Sequence, residues 1–497
     1  MSTLPLNLLA NFFGQGIGAL LALIFIPVYL RYLGTEGYGL VGLYTAFYAV
    51  LSIIDSSFQA LLARVAARAV ALKEHEILPR AVRTVEWVFV CTGGALILIF
   101  LASSDALSTY ALTAYSLSSH TIASTLQMMA IALGLRFFEG LYRAVLMGLE
   151  RQVLSNAIQT TNQFVRWAGA AAILAWVDRS VEAFFLWQVL ASLIGALLFR
   201  LSAAHAMQVK GAVKADWRSL WGERRFLSGM FIISGGAVLL TQTDKLLLAN
   251  LLPLAEFGQY ALAATAAGAL MLLVAPIADA FYPRLVRSWT RQNPAELANT
   301  FHLAAQLVSV VAGTAAITGI VYAPWILLAW TSNPSYSEAV APIFQILLTG
   351  NLLNAFMWIP YRMQLAAGWS GLAARVNIAS VIFLIPMLIW AALRYGAIGA
   401  AWVWVALNLG YLTIGIHFMY RRLLNDQKLQ WYLLDLLLPI TGALAAILLI
   451  NYSFSVEHIT DALVHAVFST ILGLIVSSFI ANKVKNQIIR QLRKVSP

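Results

Sequence analysis

Long apolar stretches separated by short polar or charged segments recur along the whole chain. The stretch from Leu307 to Trp330 carries no ionisable residue, and about 20 such residues are enough for one helical membrane span. Segments of about ten residues with alternating polarity, typical of membrane β-barrel strands, are absent from the sequence. Because lipid tolerates only helices and closed barrels, the pattern predicts an all-α polytopic membrane protein.

The charged and turn-forming residues that bound these stretches divide the chain into fourteen predicted transmembrane helices. They lie near residues 4–30, 38–63, 82–103, 121–148, 153–177, 182–204, 226–250, 257–283, 302–330, 339–366, 371–393, 397–420, 431–450 and 461–482. The fourth and fifth are the least regular, because both contain several polar residues.

Composition supports this class and explains most of the charge. Hydrophobic residues make up 61% of the 497 residues and charged residues 11%, against roughly a quarter charged in soluble domains. Of the 32 Lys and Arg, 21 lie in the loops after even-numbered spans or in the tail, whereas the opposite loops hold Arg31, Arg179 and Arg394. Basic residues collect in cytoplasmic loops, so both termini are expected in the cytoplasm. The net charge of +11 therefore does not indicate a nucleic-acid partner.

Enzyme and metal signatures are weak. Cys91 is the single cysteine and the seven His have no ligand spacing, which argues against a disulfide or a zinc site. The sequence has no glycine-rich phosphate loop, so we expect no ATP-driven motor and no cofactor. A membrane glycosyltransferase or polysaccharide polymerase, the alternative of a different class, usually needs acidic residues or a sizeable loop on the outer side. Here the outer loops are short, and the longest, 104–120, has one acid, Asp105.

An internal repeat relates the two halves of the chain. A shift of 219 residues superposes local features of the first, second and fourth spans of each half: Phe12 on Phe231, Gly16 on Gly235, Tyr38 on Phe257, Gly39 on Gly258, Arg68 on Arg287, Tyr142 on Tyr361 and Arg143 on Arg362. The repeat predicts two six-helix lobes around a central cavity, as in several transporter folds. The expected parts are an N-lobe (1–205), a basic cytoplasmic connector (206–225), a C-lobe (226–422), an extra helix pair (423–482) and a basic tail (483–497).

A few arginines lie at membrane depth, where an ionisable residue is costly and usually faces a bundle interior or a wet cavity. Arg136, Glu139 and Arg143 are spaced by three and four residues, which places them on one helical face. They form either a structural ion pair with Arg143 reaching the membrane surface, or an anion-facing cavity wall. Five arginines are the candidate substrate-binding residues: Arg136, Arg143, Arg166, Arg362 and Arg375. Their guanidinium groups suit phosphate.

Five further ionisable residues are candidates for ion coupling or gating: Asp55, Glu139, Asp244, Lys245 and Asp279. Coupling to H+ or Na+ is one interpretation. A role as hydrogen-bonded packing residues, or an interhelical ion pair in the case of Asp244 and Lys245, is the other.

Two motifs carry a family resemblance. The first is the run Asn11, Gly14, Gln15, Pro27, Tyr29, Leu33, Gly34, Glu36, Gly37, Tyr38 and Gly39, and the second is Thr243, Asp244, Lys245, Glu256, Phe257, Gly258 and Tyr260. Over residues 1–422 the chain resembles the polysaccharide exporters, the Wzx-type O-antigen flippases of the multidrug, oligosaccharidyl-lipid and polysaccharide exporter superfamily.

The resemblance implies transfer of an undecaprenyl-pyrophosphate-linked oligosaccharide from the cytoplasmic to the periplasmic leaflet of the bacterial inner membrane. The expected partners are this glycan, the phospholipid bilayer and the polymerase and chain-length machinery of polysaccharide assembly. An ion gradient or consumption of the product outside would supply the energy. A lipid II flippase and a drug or cation antiporter of the same superfamily remain alternatives, although a cavity for cations should be acidic.

Overall fold

The computed structural model describes residues 4–72, 76–208, 213–369, 371–424, 427–453 and 458–495, and every regular element in these ranges is helical. The α-helices are α1 (Leu4–Leu72), α2 (Ile77–Ala106), α3 (Ser119–Gly148), α4 (Gln152–Trp176), α5 (Val181–Met207), α6 (Trp217–Gly222), α7 (Arg224–Leu251), α8 (Leu254–Gly268), α9 (Met271–Thr290), α10 (Pro294–Val321), α11 (Ala323–Thr331), α12 (Pro334–Ala366), α13 (Gly371–Gly410), α14 (Ile416–Leu423), α15 (Lys428–Gln430), α16 (Leu438–Ser453), α17 (Ile459–Ile480) and α18 (Asn482–Val495). Short π-helical segments lie at Leu107–Ala111, Tyr411–Gly415 and Trp431–Leu437. The prediction of an all-α polytopic membrane protein is confirmed.

The number of membrane-spanning helices differs from the predicted fourteen. Within the described ranges, ten helical stretches are long and apolar enough to cross a membrane, or eleven if the bent α7 counts as one. Two of them, Leu21–Ala66 and Ala379–Leu423, have 46 and 45 residues and each overlaps two predicted spans, since one crossing needs about 20 residues. The predicted fifth span corresponds to α4, which is too polar to be counted.

Glycine breaks both of these long helices. Gly34 has φ 70° and ψ −174° inside α1, and Gly396 has φ 60° and ψ −146° inside α13. Glycine reaches a positive φ at little steric cost because it has no Cβ. Each break falls between two predicted spans, so the apolar pattern and the backbone divide these helices at the same places.

The chain divides into two compact units, Met1–Gly258 and Gln259–Pro497. In the N-terminal unit, α3 packs against α2 and α5, and α1 packs against α3, α4 and α7. One apolar core of this unit includes Phe58, Leu62, Phe89, Phe137 and Leu141. Because α7 packs on α1, the unit extends beyond the connector at 206–225, and the lobe boundaries expected from the sequence stay a prediction.

A buried carboxylate organises one end of the N-terminal unit. Glu36, two residues after the break at Gly34, is 5% exposed and accepts hydrogen bonds from the backbone N–H groups of Tyr115 (2.7 Å), Ser116 (2.9 Å) and Leu117 (3.0 Å). These residues form the loop that leads into α3. A buried carboxylate needs such donors, so the acidic position of the first motif holds the α2–α3 loop.

The C-terminal unit is built around α10, which packs against α9, α12, α16 and α17. In the most apolar 18-residue segment of α10, 72% of the residues are buried. A polar network crosses its core: the fully buried Asp435 pairs with His302 on α10 and accepts a hydrogen bond from Gln306 Nε2 at 2.8 Å. Gln306 Oε1 in turn accepts from the backbone N–H of Lys483 at 2.8 Å. This network joins the extra helix pair and α18 to α10.

Candidate functional site: a basic cavity in the N-terminal unit

A polar cavity of about 60 Å³ lies among α1, α3, α4 and α5. Its lining consists of Tyr48, Asp55, Gln59, Arg136, Glu139, Gly140, Arg143, Gln159, Asn162, Gln163, Arg166 and Phe199. A buried water needs about 10 to 15 Å³ on the same measure, so the cavity has room for a few water molecules. All of the acidic and basic lining residues were expected from the sequence as site residues.

Helical periodicity brings two stripes of polar side chains to this cavity. On α3 the stripe runs from Arg136 through Glu139 and Gly140 to Arg143, and on α4 it runs from Gln159 to Arg166 with the same intervals of three, four and seven residues. Residues at these intervals share one helix face. Each stripe therefore contributes four residues to the lining of the cavity.

The glutamate of α3 pairs with the arginine of α4. Glu139 Oε1 lies 2.7 Å from Arg166 Nη2, and the two side chains are 14% and 8% exposed. Arg166 Nη2 also lies 3.3 Å from Ser192 Oγ on α5, and Asn162 Nδ2 lies 3.4 Å from Glu139 Oε2. Glu139 thus pairs with an arginine of another helix. A structural ion pair within α3 is one of the two interpretations of the α3 stripe, and the structure shows a pair between α3 and α4 instead.

The two remaining arginines of α3 behave differently. The Arg136 guanidinium stacks over the Tyr48 ring at 3.6 Å from its centroid, an arrangement in which a cation is attracted to the ring face. Arg143 forms no ion pair with any acidic side chain in the described ranges. Three arginines face two carboxylates in the lining, so the cavity holds one excess positive charge. Among the described residues of the lining, only Arg166 is paired with a carboxylate, and Arg143 has neither a carboxylate partner nor a ring contact of the kind that holds Arg136.

Asp55 is enclosed by α3. Its carboxylate is buried, and Oδ2 accepts a hydrogen bond from Gln59 Nε2 at 2.6 Å. A Cβ added to Gly140 would lie 2.1 Å from Asp55 Oδ1, so the glycine on α3 provides the room that this carboxylate occupies.

Several buried polar atoms of the cavity have no hydrogen-bond partner among the described residues. They are Asp55 Oδ1, Asn162 Oδ1, Gln163 Oε1 and Arg166 Nε. Buried polar groups are normally hydrogen-bonded, and their concentration in one place indicates a site that water or a ligand completes. The set combines acceptors and a donor, so it can satisfy a polar ligand with both.

The other predicted site residues lie elsewhere. In the C-terminal unit Arg362, the repeat equivalent of Arg143, pairs with Asp279, whose side chain is 63% exposed. Asp244 and Lys245 are on α7 and are not among the residues that line the cavity; Lys245 Nζ lies 3.2 Å from Gln242 Oε1. Arg375 is on α13, with its side chain outside the part of the chain that the structure describes.

Sequence reasoning missed the uncharged members of the cavity, chiefly Gln159, Asn162 and Gln163. A signal was present, because these polar residues repeat with the helical intervals that also relate Arg136, Glu139 and Arg143. The polarity that made the fifth predicted span irregular is the polarity of the cavity wall.

Known proteins share both the sequence pattern and the fold. A protein of Shigella flexneri named "Putative O-antigen transporter" is 24% identical over 405 residues, which cover 80% of this chain and 93% of that protein. The lipid II flippase MurJ in an inward closed conformation matches with a TM-score of 0.72 and 10% identity, covering 96% of this chain and 99% of MurJ.

An inward-facing multidrug resistance MATE family transporter of the MOP superfamily matches with a TM-score of 0.62 and 14% identity, over 82% of this chain and 94% of that one. At these identities the likeness concerns the fold, which is that of the MOP superfamily. The family resemblance is confirmed. By name, the three proteins above are a transporter, a flippase and a transporter, in agreement with the expectation of a membrane transporter rather than an enzyme. The family described as "Polysaccharide biosynthesis protein" matches residues 6–289, more than half of the chain and every residue of the cavity, and the chain belongs to this polysaccharide biosynthesis protein family.

Proposed function

We propose that this protein is a flippase that moves an undecaprenyl-pyrophosphate-linked oligosaccharide, an O-antigen unit or a similar surface-polysaccharide repeat unit, from the cytoplasmic to the periplasmic leaflet by alternating access. The observation that carries the proposal is the cavity in the N-terminal unit, where Arg143 lacks a carboxylate partner and one positive charge is in excess. Family membership and the Shigella relative support the class of cargo.

The charges of the cavity suit a pyrophosphate. A guanidinium donates two parallel hydrogen bonds to phosphate oxygens, and Arg143 can do so without breaking an ion pair. Arg166 and Arg136 are held by Glu139 and Tyr48 and add to the positive potential. The amides of Asn162 and Gln163 offer hydrogen bonds to sugar hydroxyls, while the polyprenyl chain stays in lipid.

The size of the cavity supports alternating access. A volume of about 60 Å³ admits a few waters and is far too small for a pyrophosphate-linked oligosaccharide. The helices that enclose the cavity must therefore separate before the cargo enters.

Lipid II is the second candidate cargo, because the fold is shared with a lipid II flippase over nearly the whole chain and lipid II also carries a pyrophosphate. A drug or cation antiporter is disfavoured, since the excess positive charge repels cationic substrates. The two anionic cargoes differ in their sugars, which a measurement of accumulated intermediates distinguishes.

The experiment is complementation of a strain that lacks the gene. Loss of the protein should leave an undecaprenyl-pyrophosphate-linked repeat unit on the cytoplasmic side and abolish the surface polysaccharide, and accumulation of lipid II instead would identify the second candidate. Arg143→Gln should fail to restore the polysaccharide although it reaches the membrane at normal abundance. Arg80→Gln, which removes a guanidinium from an exposed ion pair with Glu76, should restore it fully. Full activity of Arg143→Gln would remove the argument from the cavity.

A further inference from the structure

A second basic cavity lies in the C-terminal unit, outside the site described above. It has a volume of about 430 Å³ and is formed by the end of α9, the start of α10 and one residue of α18. Its basic residues are Arg284 and Arg287 on α9, and its polar residues on α10 include Asn299 and Thr300. Nothing in the cavity of the N-terminal unit depends on these residues.

The groove lies where candidate membrane spans begin and end. The span Leu254–Thr290 ends and the span Pro294–Val321 begins here, and only Ala481 separates the end of the span Ile459–Ile480 from the start of α18. Trp289, 37% exposed, is typical of the aromatic residues found at the level of lipid headgroups. The groove is therefore at the depth of lipid phosphates.

The two arginines of the groove are free to bind an anion. Neither Arg284 nor Arg287 has an ion pair with an acidic side chain in the described ranges. In contrast, Arg64, Arg80 and Arg83 each form an ion pair with a glutamate. The one acid of the lining, Glu296, is in the first turn of α10 beside Asn293, where the positive end of the helix dipole stabilises it. Both guanidinium groups remain available for a phosphate.

Other groups of the groove complete a site for an amphiphile. The Lys483 ammonium lies 2.8 Å from Asn299 Oδ1, which leaves the NH2 group of Asn299 as a donor and adds a third cation nearby. Arg284 stacks over the Phe281 ring at 5.3 Å from the centroid, and Leu303 adds a second apolar side chain to the lining. Charged donors and an apolar edge lie side by side, as a lipid requires.

The helix α18 has the pattern of a helix that lies in the membrane surface. Val484 is buried in a small apolar cluster with Val310 and Ala481, Ile488 is exposed, and Lys483 and Lys485 lie on the same short helix. Basic amphipathic helices bind anionic membrane surfaces. Gln487 of α18 lines the groove, so the helix and the arginines of α9 belong to one surface.

We infer that this groove binds the phosphate of an anionic phospholipid of the surrounding bilayer, with Arg284 and Arg287 as its ligands. Basic pockets between membrane helices bind anionic headgroups in this way. The repeat makes the site specific to one half of the chain: Arg287 corresponds to Arg68 at the shift of 219 residues, but Arg284 corresponds to Val65. Arg68→Gln is therefore a matched control that removes an exposed arginine where no such pair exists.

The experiment is native mass spectrometry of the purified full chain, titrated with phosphatidylglycerol or with phosphatidylcholine of the same acyl chains. The wild type should bind a first phosphatidylglycerol more tightly than phosphatidylcholine. The double variant Arg284→Gln/Arg287→Gln should weaken that first phosphatidylglycerol about tenfold or more, since each basic side chain at the surface attracts anionic lipid. Arg68→Gln should change it less than about twofold, because one exposed charge contributes little.

Three results would overturn the inference. They are unchanged phosphatidylglycerol binding in the double variant, equal binding of the two lipids by the wild type, and displacement of phosphatidylglycerol by an equal concentration of inorganic phosphate, which would identify a soluble anion as the ligand. If the double variant does not fold, Arg284→Lys/Arg287→Lys keeps the charge and removes the bidentate geometry. This Lys variant should lower the affinity for the first phosphatidylglycerol measurably, but by less than the Gln variant is expected to. Unchanged affinity would again contradict the site.

Discussion

Gly39 and Gly258, which are equivalent in the internal repeat, have their backbones in contact within the N-terminal unit. A Cβ on Gly258 would lie 2.4 Å from the carbonyl oxygen of Thr35 and 3.1 Å from the backbone nitrogen of Gly39. A Cβ on Gly39 would lie 2.4 Å from the carbonyl oxygen of Leu254. The two motifs of the repeat thus meet through glycines that leave no room for a side chain.

Gly39→Ala and Gly258→Ala should both destabilise the protein, because backbone atoms must move to admit the methyl group. Overpacking of this kind costs typically about 1 to 3 kcal/mol. The double variant should lose less than the sum of the single losses, since both changes separate the same segments. Thermal unfolding of the purified protein measures this. Gly94→Ala on α2, where an added Cβ meets no atom within 4 Å, should show no loss, and equal behaviour of all three variants would contradict the contact.

The apolar pattern determines most of the fold, because lipid requires every spanning segment to be helical. It placed the breaks of α1 and α13 between predicted spans, where Gly34 and Gly396 have positive φ values. The number of spans could not be read with equal accuracy. The helix α4 combines a spanning length with a polar face, and only packing decides whether such a face is turned to a cavity or to water.

The sequence predicted part of the cavity lining, chiefly its charged residues, but not the pairs that these residues form. Helical spacing places Arg136, Glu139 and Arg143 together, and they line one cavity. The partner of Glu139 is 27 residues away on another helix, and spacing along a single helix carries no information about it. Arg362 matches Arg143 in the repeat but has an acid, Asp279, within reach. The buried Asp435 was missed because it lies near the start of its predicted span, where a charge is ordinary.

Breaking the Glu139–Arg166 pair should be costly. Both side chains are largely buried, and removing one partner of a buried ion pair leaves an uncompensated charge, at a cost of about 3 to 5 kcal/mol. Glu139→Gln and Arg166→Met should each destabilise the protein strongly, and the double variant should lose clearly less than the sum. A double-mutant cycle on thermal unfolding gives the coupling free energy.

The exposed Arg80–Glu76 pair is the control for this cycle, with an expected coupling free energy below about 1 kcal/mol. A coupling at Glu139–Arg166 no larger than that of the control would show that the pair is solvated in the protein. Strong coupling together with loss of polysaccharide export in both single variants would show that the pair also supports the proposed cavity.

Asp55 is the carboxylate of the cavity that can take up an ion without giving up an ion pair, since Glu139 is paired with Arg166 and Asp55 Oδ1 has no partner among the described residues. If export is coupled to an ion gradient at this residue, Asp55→Asn should keep the hydrogen bond from Gln59 and lose the response of flipping to an imposed proton or sodium gradient. Proteoliposomes with and without each gradient measure this response.

Two further variants test the geometry of Asp55. Gly140→Ala should impair the gradient response as well, because its methyl group would occupy the place of Oδ1. Asp279→Asn removes a carboxylate that is 63% exposed and paired with Arg362, and it should respond like the wild type. Equal gradient responses of Asp55→Asn and the wild type would exclude Asp55 as the coupling residue.

The network of Asp435 should determine how firmly the last helices are attached. Asp435→Ala leaves the His302 ring and the Gln306 amide without the carboxylate that both contact in the interior, and each buried polar group left unsatisfied costs about 1 to 3 kcal/mol. We expect a large fall in the thermal stability of the purified protein and faster proteolysis of α18, because Lys483 is held through Gln306.

Asp461→Ala, which removes a side chain that caps the start of α17, is the control in the same helix pair and should cost only about 0.5 to 2 kcal/mol. Replacing both members of the pair, His302→Phe with Asp435→Leu, should recover part of the loss because the polar ring of His302 is removed together with its partner. If Asp435→Ala costs no more than Asp461→Ala, the attachment of the helix pair rests on apolar packing alone.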